Sequence, residues 1–159
     1  MKENLRADIT TLGVVANRAA YMGGEDWLNQ CVEYIDGNHD FVANFVSDKL
    51  PMVKYVKPQG TYLAWLDVTA IADRIGAKQL AAEANKNRAA GVAAVTPETM
   101  VERFLVKTAK VHLNQGASYG VGGENHMRMN IATSRKMVEL ALNNLANATR
   151  NITSSSVAF

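Results

Sequence analysis

Along the 159-residue chain the spacing of apolar side chains switches between a helical and an extended period. Residues 9–22 carry small and apolar side chains without a preceding strand and read as a helix that Gly23-Gly24 ends. Glu25 and Asp26 then suit the positive end of a second helix. Leu28, Val32, Ile35, Val42 and Phe45 recur at helical spacing up to Leu50, with Cys31 and Val46 beside the stripe. Gly37 interrupts this helix at a cost of about 1 kcal/mol relative to Ala. His39 falls on the side away from the stripe, where it is expected to be solvated.

Alternation takes over after Pro51. Residues 53–57 and 61–67 read as a hairpin around Lys57-Pro58-Gln59-Gly60, with Pro and Gly at the second and fourth turn positions. Thr69 is placed to cap a short helix that stops at Gly76. Residues 77–95 offer few anchors and read as a loosely packed helix and a flexible link. Thr96-Pro97 restarts a helix, with Thr as N-cap and Pro at the first position; Met100, Val101, Phe104 and Leu105 form its buried face. Lys110–Leu113 reads as a short strand. A glycine-rich loop fills 114–125. His126–Ala132 alternates Met127, Met129 and Ile131 against His126, Arg128 and Asn130, a strand with one buried face. Thr133 is placed to cap a last helix through Val138, Ala141, Leu142 and Leu145, and 151–159 should fray. The sum is α+β: a small, mostly antiparallel sheet covered by helices on one face, preceded by one long helix.

Composition narrows function by exclusion. Hydrophobic residues make up 48% and charged residues 20% of the chain, as in ordinary globular proteins. The net charge of +2, from 17 basic and 15 acidic residues, does not point to nucleic acid or anionic membranes. No apolar run approaches the ~20 residues that span a bilayer. The single cysteine, Cys31, rules out an intrachain disulfide framework and is expected to be a packed thiol. The three histidines have no metal-ligand spacing, although His112 and His126 could approach Arg128. Trp27 and Trp65 read as core residues, and the sequons at Asn147 and Asn151 carry meaning only under secretion.

Two features are candidates for chemistry. Gly116, Gly120, Gly122 and Gly123 match neither the dinucleotide fingerprint nor the P-loop, and a strand follows them where both motifs need a helix. They fit a long connection that needs positive φ angles. Arg128, mid-strand and opposite the apolar set, has two readings. It is either a salt-bridge partner of Glu124 or a planar fork that grips a ligand carboxylate.

Together the segments GGEDWLNQCVEYIDGNHDFV, PQGTYLAWLD and KVHLNQGASYGVGGENHMRMNIAT are far more specific. The chain, from residue 11 to about 148, resembles the C-terminal small-domain part of fold-type I pyridoxal-phosphate enzymes. Within the class I/II aminotransferase family it is most similar to the cystathionine β-lyase-like, or C–S lyase, branch. The resemblance implies an aminotransferase small-domain-like fold over 25–150, with 76–96 as an inserted arm, 1–24 as an orphaned large-domain or hinge helix, and a long interdomain helix. It implies that Arg128 binds the α-carboxylate of an amino-acid or keto-acid substrate. Gly60, Thr61 and Tyr62 match the turn on the substrate side of the cleft, and Ser118, Tyr119 and Gly120 match the loop near the cofactor entrance.

In such enzymes pyridoxal 5'-phosphate is held on a lysine of a separate large domain, in a Ser-x-x-Lys context. The chain has no Ser-x-x-Lys; Thr133-Ser-Arg-Lys136 is nearest and reads as a helix start. The expectation is therefore a fragment of a cytoplasmic, homodimeric enzyme that is inactive alone and contributes substrate binding. The alternatives are an inactive remnant and a dimerisation or small-carboxylate-binding module. Transamination and β-elimination are equally compatible with these residues.

Overall fold

A computed structural model describes residues 10–86, 88–89 and 91–152. The chain divides into two units, residues 1–35 and 36–159. In the first, α1 (Thr11–Gly23) starts where the Thr10 side chain accepts a bond from the Gly13 N–H at 3.1 Å. It closes with the Gly24 N–H donating to the Ala20 carbonyl. None of its residues is buried. Leu12, Val15, Tyr21 and Met22 are exposed, as are Trp27, Leu28 and Val32 on the first part of α2 (Glu25–Lys49). Trp27 is thus not a core residue, and Cys31 is half-buried and free. The part of the first expected helix before residue 10 lies outside the described residues.

The second unit holds a four-stranded antiparallel sheet among the described residues, in the order β1-β2-β4-β3. The strands are β1 (Lys54–Tyr55), β2 (Leu63–Asp67), β3 (Asn114–Gln115) and β4 (His126–Asn130). The period-two pattern sorts the central pair. Ala64 faces Met129 and Leu66 faces Met127, all four buried. Leu63, Trp65 and Asp67 pair with Asn130, Arg128 and His126 on the other face. Against the buried face lie Val42, Phe45 and Val46 of α2. So do Ile71 and Ile75 of α3 (Thr69–Ile75), and Ala77 and Ala81 of α4 (Ala77–Asn85). Phe104 of α5 (Pro97–Phe104) and Leu142 of α6 (Arg135–Arg150) complete this core. Burying each such large side chain contributes about 1.5–3 kcal/mol.

Several local readings need correction. The short strand is Asn114–Gln115; Lys110–Leu113 is irregular, because α5 widens into a π turn (Leu105–Ala109) that ends on Lys110 at φ 56°. Val68, not Thr69, occupies the N-cap of α3, without a side-chain cap bond; the Asp67 carboxylate, one residue earlier, accepts from the Thr69 N–H at 2.9 Å and the Thr69 hydroxyl at 2.5 Å. Ser134, not Thr133, occupies the N-cap of α6. Between β1 and β2 the chain bends at Gln59-Gly60, and the positive φ falls on Thr61 at 71°. Helix α4 is well seated through Ala77 and Ala81. The Asn85 side chain closes the link behind it, donating to Val95 O at 2.8 Å and accepting from Val95 N at 3.0 Å. Thr96 caps α5 as expected, accepting from the Thr99 N–H. Ile152, in the segment expected to fray, is buried in the core; residues 153–159 lie outside the described residues.

Candidate functional site

The outward face of the sheet gathers the candidate chemistry. Arg128 stands mid-way along β4, paired with Trp65 on one side and Asn114 on the other. Its guanidinium carbon lies 4.3 Å over the ring of Tyr119. Trp65 meets Tyr119 edge-on, with ring centroids 6.0 Å apart, and stacks on His126 at 5.7 Å. His126 donates from Nδ1 to the Glu124 carbonyl, which can only accept, at 2.8 Å. Trp65 is therefore a half-buried stacking partner and not a core residue; in the alternation of β2 it shares the phase of Leu63 and Asp67.

Glu124 is not the partner of Arg128. Its carboxylate accepts from the Gly122 N–H at 3.0 Å, inside the loop. Among the described residues no ion pair or hydrogen bond engages the Arg128 side chain. A guanidinium with one face covered by an aromatic ring keeps its N–H edges for a planar, bidentate acceptor. The arrangement suits a carboxylate.

The loop that carries Tyr119 is closed by backbone contact. A Cβ on Gly116 or on Gly123 would collide with the main chain of the other, so only glycine fits this crossing. Two carboxylates of α5 hold its feet. Glu98 is buried and accepts from the Asn125 N–H at 3.3 Å. Glu102 accepts from Gln115 Nε2 at 2.5 Å and meets His112 Nε2 at 2.8 Å. His112 is therefore occupied at α5 and does not join Arg128. Ser118 turns its hydroxyl to the Gln115 carbonyl at 2.7 Å and serves the turn itself.

Gly60, Thr61 and Tyr62 precede β2, at the end where Leu63 pairs with Asn130. The Tyr62 carbonyl accepts from the Ile131 N–H at 3.0 Å. Tyr62 lies three residues before Trp65, roughly 10 Å along an extended strand. Arg128 and Tyr119 thus come together, while the Gly60–Tyr62 turn lies toward one end of the central β2–β4 pair.

The sequence reading missed a buried polar group. His39 is buried, with Nδ1 2.5 Å from the Tyr55 hydroxyl and Nε2 3.0 Å from the Thr61 carbonyl. Its position four residues after Ile35 and three before Val42 was the available signal. Burial pushes the Tyr55 phenol up to about 12, against the opposing effect of Lys57. Lys57 lies 2.8 Å from Asp36 and 2.6 Å from Asp40, and these bonds raise its pKa. At Asp67 burial acts upward, but the two bonds from Thr69 prevail and hold the carboxyl below its ordinary value.

No family model matches the chain. Individual relatives do. A Mycobacterium tuberculosis protein provisionally named a cystathionine beta-lyase is 34% identical over 146 residues, spanning 92% of this chain and 34% of that protein. Cystathionine beta-lyase PatB of Bacillus subtilis is 30% identical over 134 residues, 84% of this chain and 29% of PatB. Among solved structures, cystalysin from Treponema denticola, which contains pyridoxal 5'-phosphate, superposes with a TM-score of 0.70 at 26% identity over 91% of this chain and 31% of its own. The chain spans about a third of the length of the curated relatives it matches. Over about nine-tenths of its length the chain is similar to one segment of fold-type I pyridoxal-phosphate enzymes of the class I/II aminotransferase family, cystathionine β-lyases among them.

Proposed function

We propose that the chain is the small-domain segment of a pyridoxal-phosphate-dependent C–S lyase or aminotransferase, and that Arg128 receives the α-carboxylate of its amino-acid or keto-acid substrate. The observation that carries the reading is the Arg128 guanidinium, half-buried on the open sheet face, stacked on Tyr119 and without an internal carboxylate among the described residues. Gly60–Tyr62 lines the substrate side of the cleft, and Ser118-Tyr119 borders the cofactor entrance. In this reading residues 25–150 form the small domain, with 76–96 as an arm. The exposed apolar side chains of α1 and early α2 fit a piece that is covered in a longer, homodimeric enzyme.

The residues present do not by themselves fit the cofactor. The lysine that shares a sheet face with Arg128 is Lys54, and it sits across from Asp67 at the far strand. Clefts that include Lys49, Lys78 or Lys110 include neither Arg128 nor Tyr119. The cofactor therefore belongs to the part of the longer relatives that this chain does not match.

The test is a splice. Residues 11–148 replace the matched segment of PatB, and thiol release from cystathionine is followed with a thiol reagent. The spliced protein should keep the cofactor's absorbance and release thiol. Arg128→Ala should keep the absorbance and lose about a hundredfold in kcat/KM, and Arg128→Lys should recover little, because the ammonium lacks the planar fork. Equal activity of the Arg128→Ala splice would overturn the assignment.

A further inference from the structure

Residues 36, 39 and 40 project from one side of α2, because positions three and four apart share a helix face. All three reach the connection between β1 and β2. Asp36 and Asp40 hold Lys57, and His39 bridges Tyr55 and Thr61. The Thr61 carbonyl can only accept, so Nε2 of His39 carries a proton. In the neutral ring Nδ1 is then the acceptor, and the Tyr55 hydroxyl donates to it.

Thr61 sits at φ 71°, a region that β-branched residues rarely enter and that persists only when neighbours impose it. The preceding residue, Gly60, could adopt a positive φ at no cost, yet the positive φ falls on the threonine whose carbonyl His39 binds.

We infer that His39 is a positioning residue: its Nε2–H holds the Thr61 carbonyl, fixes Thr61 in the left-handed conformation, and so sets the Gly60–Tyr62 turn against the substrate. The part about substrate rests on the cleft reading proposed above. Asp36 and Asp40 pin Lys57 independently, so the two anchors of the connection can be released one at a time.

The experiment uses the full chain, labelled with 15N and 13C. A positive φ brings the Thr61 amide and α protons close and produces a strong intraresidue cross-peak. His39→Leu should abolish it, whereas His39→Gln, which keeps a donor, and Lys57→Met, which frees only the other anchor, should retain it. A wild-type cross-peak in a folded His39→Leu chain would overturn the inference. If His39→Leu does not fold, His39→Gln decides: retention supports the inference, and loss in a folded chain overturns it. In the PatB splice, His39→Leu should raise KM several-fold with kcat within about twofold; an unchanged KM with the cross-peak lost would overturn the link to substrate. If instead Arg128→Ala leaves the splice fully active, the proposed function fails while the Thr61 result stands.

Discussion

The two readings of Arg128 separate in a pair of double-mutant cycles on the full chain. One cycle combines Arg128→Ala with Glu124→Ala, the other Arg128→Ala with Tyr119→Leu. The structure sets both magnitudes. Glu124 is bonded to the Gly122 N–H and makes no ion pair with Arg128, so the first coupling should lie within about 0.3–0.5 kcal/mol of zero. Arg128 stacks over Tyr119 at 4.3 Å, and both are partly solvated, which corresponds to about 0.5–1 kcal/mol. The second coupling should be of that size. Urea titrations followed by circular dichroism give the free energies, and a change this large moves the thermal midpoint by roughly 2–4 °C in a unit of this length. A coupling above about 1 kcal/mol between Arg128 and Glu124 would mean that the arginine is an internal ion-pair partner, and the carboxylate reading would fall with it.

Two further outcomes follow from buried polar groups. Asn38 is fully buried, donating to the Ile131 and Thr133 carbonyls at 2.8 and 3.0 Å and accepting from Arg135 Nε at 2.6 Å. Asn38→Ala should cost about 3 kcal/mol or more in urea unfolding, and Asn38→Asp should do no better, because it loses both donors; a loss below about 1 kcal/mol would refute this. Asp67 has its carboxyl pKa lowered in the fold, so its contribution is present above the unfolded value near ~3.9 and fades as pH falls through the folded one. The stability gap between the wild type and Asp67→Asn should therefore be open at neutral pH and closed in strong acid; a gap that does not change with pH would refute it.

What the sequence determined by itself was whatever depends on neighbours along the chain. The three-residue periodicity placed α2 to its last turn, and Thr96-Pro97 placed the start of α5. The alternation of Met127, Met129 and Ile131 fixed which side of β4 is buried, and hence that Arg128 faces outward. The motifs around Gly60, Trp65 and Arg128 carried the family. What only the tertiary structure decided was the partner of each polar side chain. His39 looked solvated because a polar side chain is expected to face water, yet it shares the helix face of Ile35 and Val42, and Tyr55 and Thr61 close over it and bury it. Glu124 looked like the mate of Arg128 because it lies four residues away, but its carboxylate turns back to the Gly122 N–H, and the guanidinium lies instead over Tyr119, nine residues back. Hydrophobic burial is specified by a repeating pattern that many residues share, so one sequence can display it. A hydrogen bond or a ring stack depends on where two distant segments meet, and that position is set only when the sheet and its helices close on a common core.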